Sequence, residues 1–215
     1  HPILPLLDNV ENAHGANPDL ELPSEGFRHP DDAVEQLQRA ADYYQELFGS
    51  APRGLWPSEQ AVGKSACVAA AQAGFTWMIS NEGILAKSLG VQLRDGSGKV
   101  VRPDLLYQPY YVNTDGGQQT AIIFRDQNLS DKIAFTYSGM SAEAAAEDLI
   151  SYLHAVRDAL GTRAGSSLVT IALDGENAWE YYLNDGKDFL HAIYSRISED
   201  PVLRTVTVSE YLDRH

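Results

Sequence analysis

The chain carries a single cysteine, Cys67, among its 215 residues. One thiol makes no intrachain disulfide and founds no cysteine-rich metal site. Its place in the small-residue run Val62 to Ala73 marks it as a core side chain. The lack of a disulfide fits a reducing, cytoplasmic compartment without requiring one. Histidines are few and scattered, with no pair at metal-ligand spacing, so no metal is expected. No Gly-x-Ser-x-Gly supports a serine nucleophile, and no Gly-x4-Gly-Lys cradles phosphate. No apolar run approaches the roughly 18 residues that a membrane span needs. Positive charge is also scarce: 16 Lys and Arg stand against 30 Asp and Glu, a formal net charge of −14. Such a chain repels nucleic-acid backbones and anionic membrane surfaces, and suits a neutral substrate better than an anionic one. The first residue is His1 rather than Met, and no signal-peptide pattern precedes it. The sequence is therefore expected to begin within a longer protein or after processing.

What is present is the material of one large domain. Hydrophobic residues make up 44% of the chain, enough for a full core, and no repeat or low-complexity linker interrupts it. His1 to Leu7, apolar with two prolines, suits a strand end or extended lead-in. Asp8 to Gly26 reads as a long surface loop. Helical spacing predicts a helix from His29-Pro30 to a stop at Gly49, another from about Ser58 to Ala73, and a third capped by Ser141 and ended by Gly161. A fourth is expected over about Lys187 to Ile197. Short strands are predicted at Gly54 to Trp56, Phe75 to Ser80, Leu105 to Val112, Gln119 to Phe124, Ser167 to Leu173 and Arg204 to Val208. Thr114-Asp115-Gly116-Gly117 reads as a hairpin turn. Strands alternating with helices imply βαβ units and a mainly parallel sheet.

Polar residues repeatedly follow these strands: Glu59, Ser80-Asn81-Glu82, Arg125-Asp126 and Asp174-Gly175-Glu176. A β/α barrel with its site on one face has this pattern. Glu59 and Asp174 are the natural pair of acids, and two carboxylates can cut a glycosidic bond without any cofactor. Aromatic residues near these points, Trp56 and Trp179 among them, offer faces on which sugar rings stack. Each candidate also has a plain structural reading. Glu59 fits a helix-start acid, and Asp174 fits an N-cap with Glu176 in the first turn. Arg125-Asp126 fits a local ion pair.

Several segments together resemble glycoside hydrolase family 57. His1-Pro2-Ile3-Leu4-Pro5-Leu6-Leu7 is similar to the family's second motif. Gly54-Leu55-Trp56-Pro57-Ser58-Glu59 resembles the motif bearing the nucleophile, which assigns that role to Glu59. Leu173-Asp174-Gly175-Glu176-Asn177-Ala178-Trp179 resembles the motif of the general acid/base, which assigns it to Asp174 and leaves Glu176 to tune or orient. Phe124-Arg125-Asp126, with Leu129-Ser130-Asp131-Lys132-Ile133 and Phe135, resembles a stretch of amylase- and amylopullulanase-like members. The resemblance implies an α/β fold, a distorted (β/α)7-type barrel, with retaining chemistry on α-glucans and His1, Trp56, Arg125, Asp126, Glu176 and Trp179 at the substrate. The family's first motif, His-Gln-Pro on the first strand, is absent. So is the helical region that follows the barrel. Residues 1–215 are thus expected to form a single catalytic-barrel segment, incomplete at its N-terminal strand. The alternatives are a 4-α-glucanotransferase or branching enzyme on the same site, and a non-catalytic carbohydrate-binding domain. A deacetylase-like metal enzyme would need paired histidines, which the sequence does not offer.

Overall fold

The computed structural model describes residues 3–113, 119–175 and 179–215. The chain forms two compact units, His1–Ser80 with Pro109–Ile123, and Asn81–Gln108 with Phe124–His215. Among the described residues the secondary structure is a small mixed sheet and many helices.

In the first unit, α1 (Ile3–Asp8) packs on α2 (Pro30–Phe48) and α3 (Lys64–Gln72). The N-terminal segment is therefore helical where an extended lead-in was expected. Pro5 lies in the first turn, where backbone N–H groups have no partner within a helix, so its missing N–H costs nothing there. Leu4 is the residue that α1 buries. Helix α2 forms as expected: Pro30 opens it, Ala33 and Leu37 face inward, and Gly49 closes it at φ 75°. Helix α3 starts later than its sequence pattern suggested, behind Gly63 as N-cap, and buries Ala66, Cys67, Ala69, Ala70 and Ala71. These small side chains let it pack closely.

Four strands pair in the order β1-β2-β4-β3: β1 (Gly54–Leu55), β2 (Trp77–Asn81), β3 (Tyr110–Asn113) and β4 (Gln119–Arg125). β1 runs parallel to β2, with Gly54 opposite Trp77, whereas β3 and β4 are antiparallel, with Asn113 opposite Gln119. The sheet is mixed, with a parallel and an antiparallel pairing. The hairpin turn expected at 114–117 lies outside the described residues. Thr120 to Phe124 are all buried, the mark of a strand covered on both faces. Gly54 is required by contact: a Cβ there would lie 2.0 Å from the Trp77 ring.

In the second unit, α4 (Glu82–Leu89) is capped by the Asn81 side chain and ended by Gly90 at φ 66°. Leu105 and Leu106, expected to open a strand, belong instead to α5 (Pro103–Leu106), because Pro103 opens a helical turn. α6 (Gln127–Asp131) runs into a π turn over Lys132–Thr136. α7 (Ala142–Leu160), capped by Ser141, packs on α8 (Lys187–Glu199), and Leu129, Ile133, Tyr137, Leu149, Tyr182 and Phe189 fill the core around them. Two predicted strands are not strands. Residues 167–174 are extended but unladdered; their backbone groups bond singly, Leu168 N to Tyr107 O at 3.0 Å and Thr170 O to Asp126 N at 2.9 Å. Residues 204–207 precede α9 (Val208–Arg214), which starts from a reciprocal capping box between Thr207 and Glu210. Thr-x-x-Glu is the sequence signature of such a helix start.

Burial pushes the Cys67 thiol up from 9.0 to about 11. A raised pKa favours folding below pH about 9, and that contribution is lost as pH climbs through about 11. Urea midpoints measured from pH 8 to 11 should fall in the native sequence and fall less in Cys67→Ala. Ellman's reagent at pH 8 should react with Cys67 only after unfolding.

Candidate active site

Glu59 stands on a strained turn. After β1, the buried Pro57 holds an extended backbone, and residues 58–60 then close a tight 3-10 turn. Inside that turn Glu59 has φ 56° and Gln60 φ 55°. Two consecutive non-glycine residues in the left-handed region cost about 1 kcal/mol or more each. Gln60 N donates to Pro57 O at 2.8 Å and Ala61 N to Ser58 O at 3.1 Å. The fully buried Ser80, near the end of β2, donates its hydroxyl to Gln60 O at 2.9 Å. Glu59 is exposed and Trp56 half-buried. The helix-start reading of Glu59 does not hold for α3, which begins only at Lys64.

In the second unit the chain leaves β4 through Arg125 and Asp126. These two do not pair with each other. Arg125 reaches Asp131 at 3.4 Å and donates to Ala172 O at 3.3 Å. Asp126 is fully buried, and its oxygens are held by the protein's own donors. Oδ1 accepts from Arg94 Nη2 at 2.7 Å and from Leu129 N at 2.9 Å, which makes Asp126 the N-cap of α6. Oδ2 accepts from the hydroxyls of Tyr107 and Tyr152, both at 2.7 Å. Arg94 also makes a two-pronged pair with Glu82, Nη2 lying 2.7 Å from Oε2 and Nε bonding Oε1. Its Nη1 donates to Gly98 O at 2.9 Å, and Glu82 Oε2 accepts from Gln127 N at 3.1 Å.

Burial opposes the Arg94 charge, but the bonds to Glu82 and Tyr152 and the Asp126 charge outweigh it and raise its pKa. Burial, reinforced by Asp126, lifts the Tyr107 hydroxyl far above its ordinary range; burial pushes Tyr152 up to about 12. Both phenols therefore stay protonated as donors to Asp126. Expected at the substrate, Asp126 instead faces inward. Glu82 was visible as a strand-end acid, but Arg94, Tyr107 and Tyr152 carried no local pattern, because the groups that claim them are remote in the chain.

The extended segment leads to Asp174, which is exposed. Among the described residues no helix begins at Asp174; a 3-10 helix follows at Leu183–Gly186, and α8 starts at Lys187. Trp179 is half-buried and packs against Tyr182 and Phe189, with ring centroids 5.4 and 6.4 Å away. Gly186, at φ 74°, makes room for it, since a Cβ there would lie 2.6 Å from the indole. Trp179 thus serves packing first. His1 and Glu176 lie outside the described residues. Among the described residues no group of three or more His, Cys, Asp or Glu converges as a metal site, and no helix is long and apolar enough to cross a membrane.

The model of glycosyl hydrolase family 57 matches residues 1–215. The chain belongs to that family. Comparison with curated proteins returns no match. Among solved structures, the chain is similar to a 4-α-glucanotransferase from Thermococcus litoralis, with 21% identity and a TM-score of 0.66 over 86% of this chain and 26% of that one. It is also similar to an α-amylase, AmyC, from Thermotoga maritima, with 15% identity and a TM-score of 0.67 over 86% of this chain and 45% of that one. A probable polysaccharide deacetylase from Pseudomonas aeruginosa PAO1 aligns at 14% identity and a TM-score of 0.52, over 95% of this chain and 61% of that one. These likenesses describe the fold. The chain spans less than half the length of the first two enzymes.

For this family 57 chain the turn geometry makes a direct prediction. Gln60→Gly, which removes the left-handed penalty, should leave thermal stability equal or raise it by up to about 1 kcal/mol. Gln60→Val, β-branched, should lower it by about 2 kcal/mol or more. Equal melting temperatures for the two variants would contradict the observed backbone.

Proposed function

We propose that this chain carries the catalytic carboxylates of a retaining glycoside hydrolase that cleaves α-glucosidic bonds of α-glucans. The observation that carries the reading is Glu59: an exposed acid at the end of β1, on a turn whose backbone is strained and clamped. Strain of this kind persists where the surroundings enforce it, and it clusters at functional sites. Membership of family 57 over the whole chain supports the same assignment, and the fold-level likeness to a glucanotransferase and an amylase supports α-glucan substrates and a (β/α)7-type barrel.

In this reading the Glu59 carboxylate attacks the anomeric carbon while Asp174 gives its proton to the departing glycosidic oxygen. The C–O bond breaks and a glycosyl ester forms on Glu59. Asp174, now a carboxylate, takes a proton from water; the water oxygen attacks the anomeric carbon and releases Glu59. The anomeric configuration is retained because it is inverted twice. Such chemistry needs the two carboxyl groups about 5–5.5 Å apart. Trp56 offers an apolar face to a sugar ring, and Arg125 lies by the segment that leads to Asp174. No cofactor takes part. A transferase differs only in the acceptor, a glucan hydroxyl in place of water.

In the full-length enzyme, Glu59→Gln and Asp174→Asn should each lower kcat on maltooligosaccharides by about 1,000-fold or more, with melting temperatures little changed. Wild-type products should be shorter oligosaccharides with new reducing ends. Longer chains or new branches would assign transfer. Undiminished turnover in both variants would leave only a binding role.

A further inference from the structure

We infer that Ser130, with Asp126 behind it, is a positioning residue for Asp174, acting through the extended segment Thr170–Leu173. This rests on the acid/base role proposed for Asp174. A strand that carries a catalytic acid is normally fixed by a ladder of backbone bonds, and this segment has none among the described residues. Its backbone is held instead by the short stretch that follows β4. Thr170 O accepts from Asp126 N at 2.9 Å. Ala172 N donates to Ser130 Oγ at 3.3 Å, and Ala172 O accepts from Arg125 Nη1 at 3.3 Å. Alternate residues of the segment are thus gripped on one edge, as a neighbouring strand would grip them.

Ser130 is the joint of this grip. It is fully buried, and its hydroxyl is aligned because it donates to Asp126 O at 2.7 Å while accepting from Ala172 N. Helix α6, which carries Ser130, cannot drift. Its N-cap is the Asp126 carboxylate, pinned by Arg94, Tyr107 and Tyr152, and Glu82 braces Arg94 and Gln127 N. Asp174 follows Ala172 by two residues, about 7 Å of extended chain. An error in the placement of Ala172 is therefore passed almost undiminished to the carboxyl group, and misplacement by about 1 Å costs roughly 100-fold in rate.

Leaving-group dependence separates positioning of a general acid from general damage. A maltooligosaccharide needs its leaving oxygen protonated; an α-maltosyl fluoride does not. In the full-length enzyme, Ser130→Ala should lower kcat/KM on maltohexaose, which reports only the steps up to the glycosyl ester, by roughly 10–100-fold, and lower kcat/KM on maltosyl fluoride by less than about threefold. The Ala172 amide should exchange hydrogen faster while amides of α7 keep their protection. Equal losses on both substrates, or no loss on either, would overturn the inference. Asp174→Asn run in parallel tests the reading beneath it. If Asp174→Asn shows the leaving-group dependence and Ser130→Ala does not, positioning fails alone. If Asp174→Asn shows none, the acid/base assignment fails. Should Ser130→Ala fold poorly, Ser130→Thr, which keeps the hydroxyl, should recover the hexaose rate relative to Ser130→Val; equal rates in those two would overturn the inference as well.

Discussion

A fully buried carboxylate constrains the second unit more than any other group. Asp126 accepts from Arg94, Tyr107, Tyr152 and the amide of Leu129, drawing residues from four separate parts of the chain onto one side chain. Such a charge is tolerable only when its hydrogen bonds are complete, and removing one partner of a buried pair typically costs about 3–5 kcal/mol. The arrangement therefore works all together or not at all. It also has direction: the same residue that gathers the buried groups caps α6 and bonds Thr170, so the buried charge fixes the path of the chain toward Asp174.

The first unit solves a different problem by different means. There the acid is exposed, and what is fixed is its backbone. Glu59 and Gln60 occupy a left-handed conformation that their side chains disfavour, and the buried Ser80 hydroxyl holds the turn shut. A strained turn keeps an acidic side chain from relaxing into the helix that its neighbours would otherwise extend. In both units a buried serine hydrogen-bonds the backbone within two residues of the proposed catalytic residue, Ser80 at Gln60 and Ser130 at Ala172.

Much of this was legible in the sequence. The long helices, their caps at Ser141, Gly49 and Gly161, and the strands entering Glu59 and Arg125 follow from periodicity and end signals that act within a few residues. The family followed from motifs in order along the chain. What failed was decided at a distance. The apolar run before Asp174 has strand chemistry, but a ladder needs a partner strand, and here single bonds to Tyr107, Asp126 and Ser130 take its place. Pro5 favoured a strand end or extended lead-in, yet it sits in a first helical turn, where proline is harmless. Arg125-Asp126 looked like a local pair because adjacency is all a sequence shows. In the fold the two side chains turn to different partners.

The central claim is that Glu59 forms a covalent bond to the sugar. The most direct test incubates the full-length enzyme with a 5-fluoro-α-glucosyl fluoride, which slows breakdown of the glycosyl ester, and maps the labelled peptide by mass spectrometry. The account predicts one equivalent of fluoroglucosyl on Glu59, within the peptide that contains Trp56-Pro57-Ser58-Glu59. A label on any other carboxylate, or fluoride release that yields inverted product with no label, would contradict it.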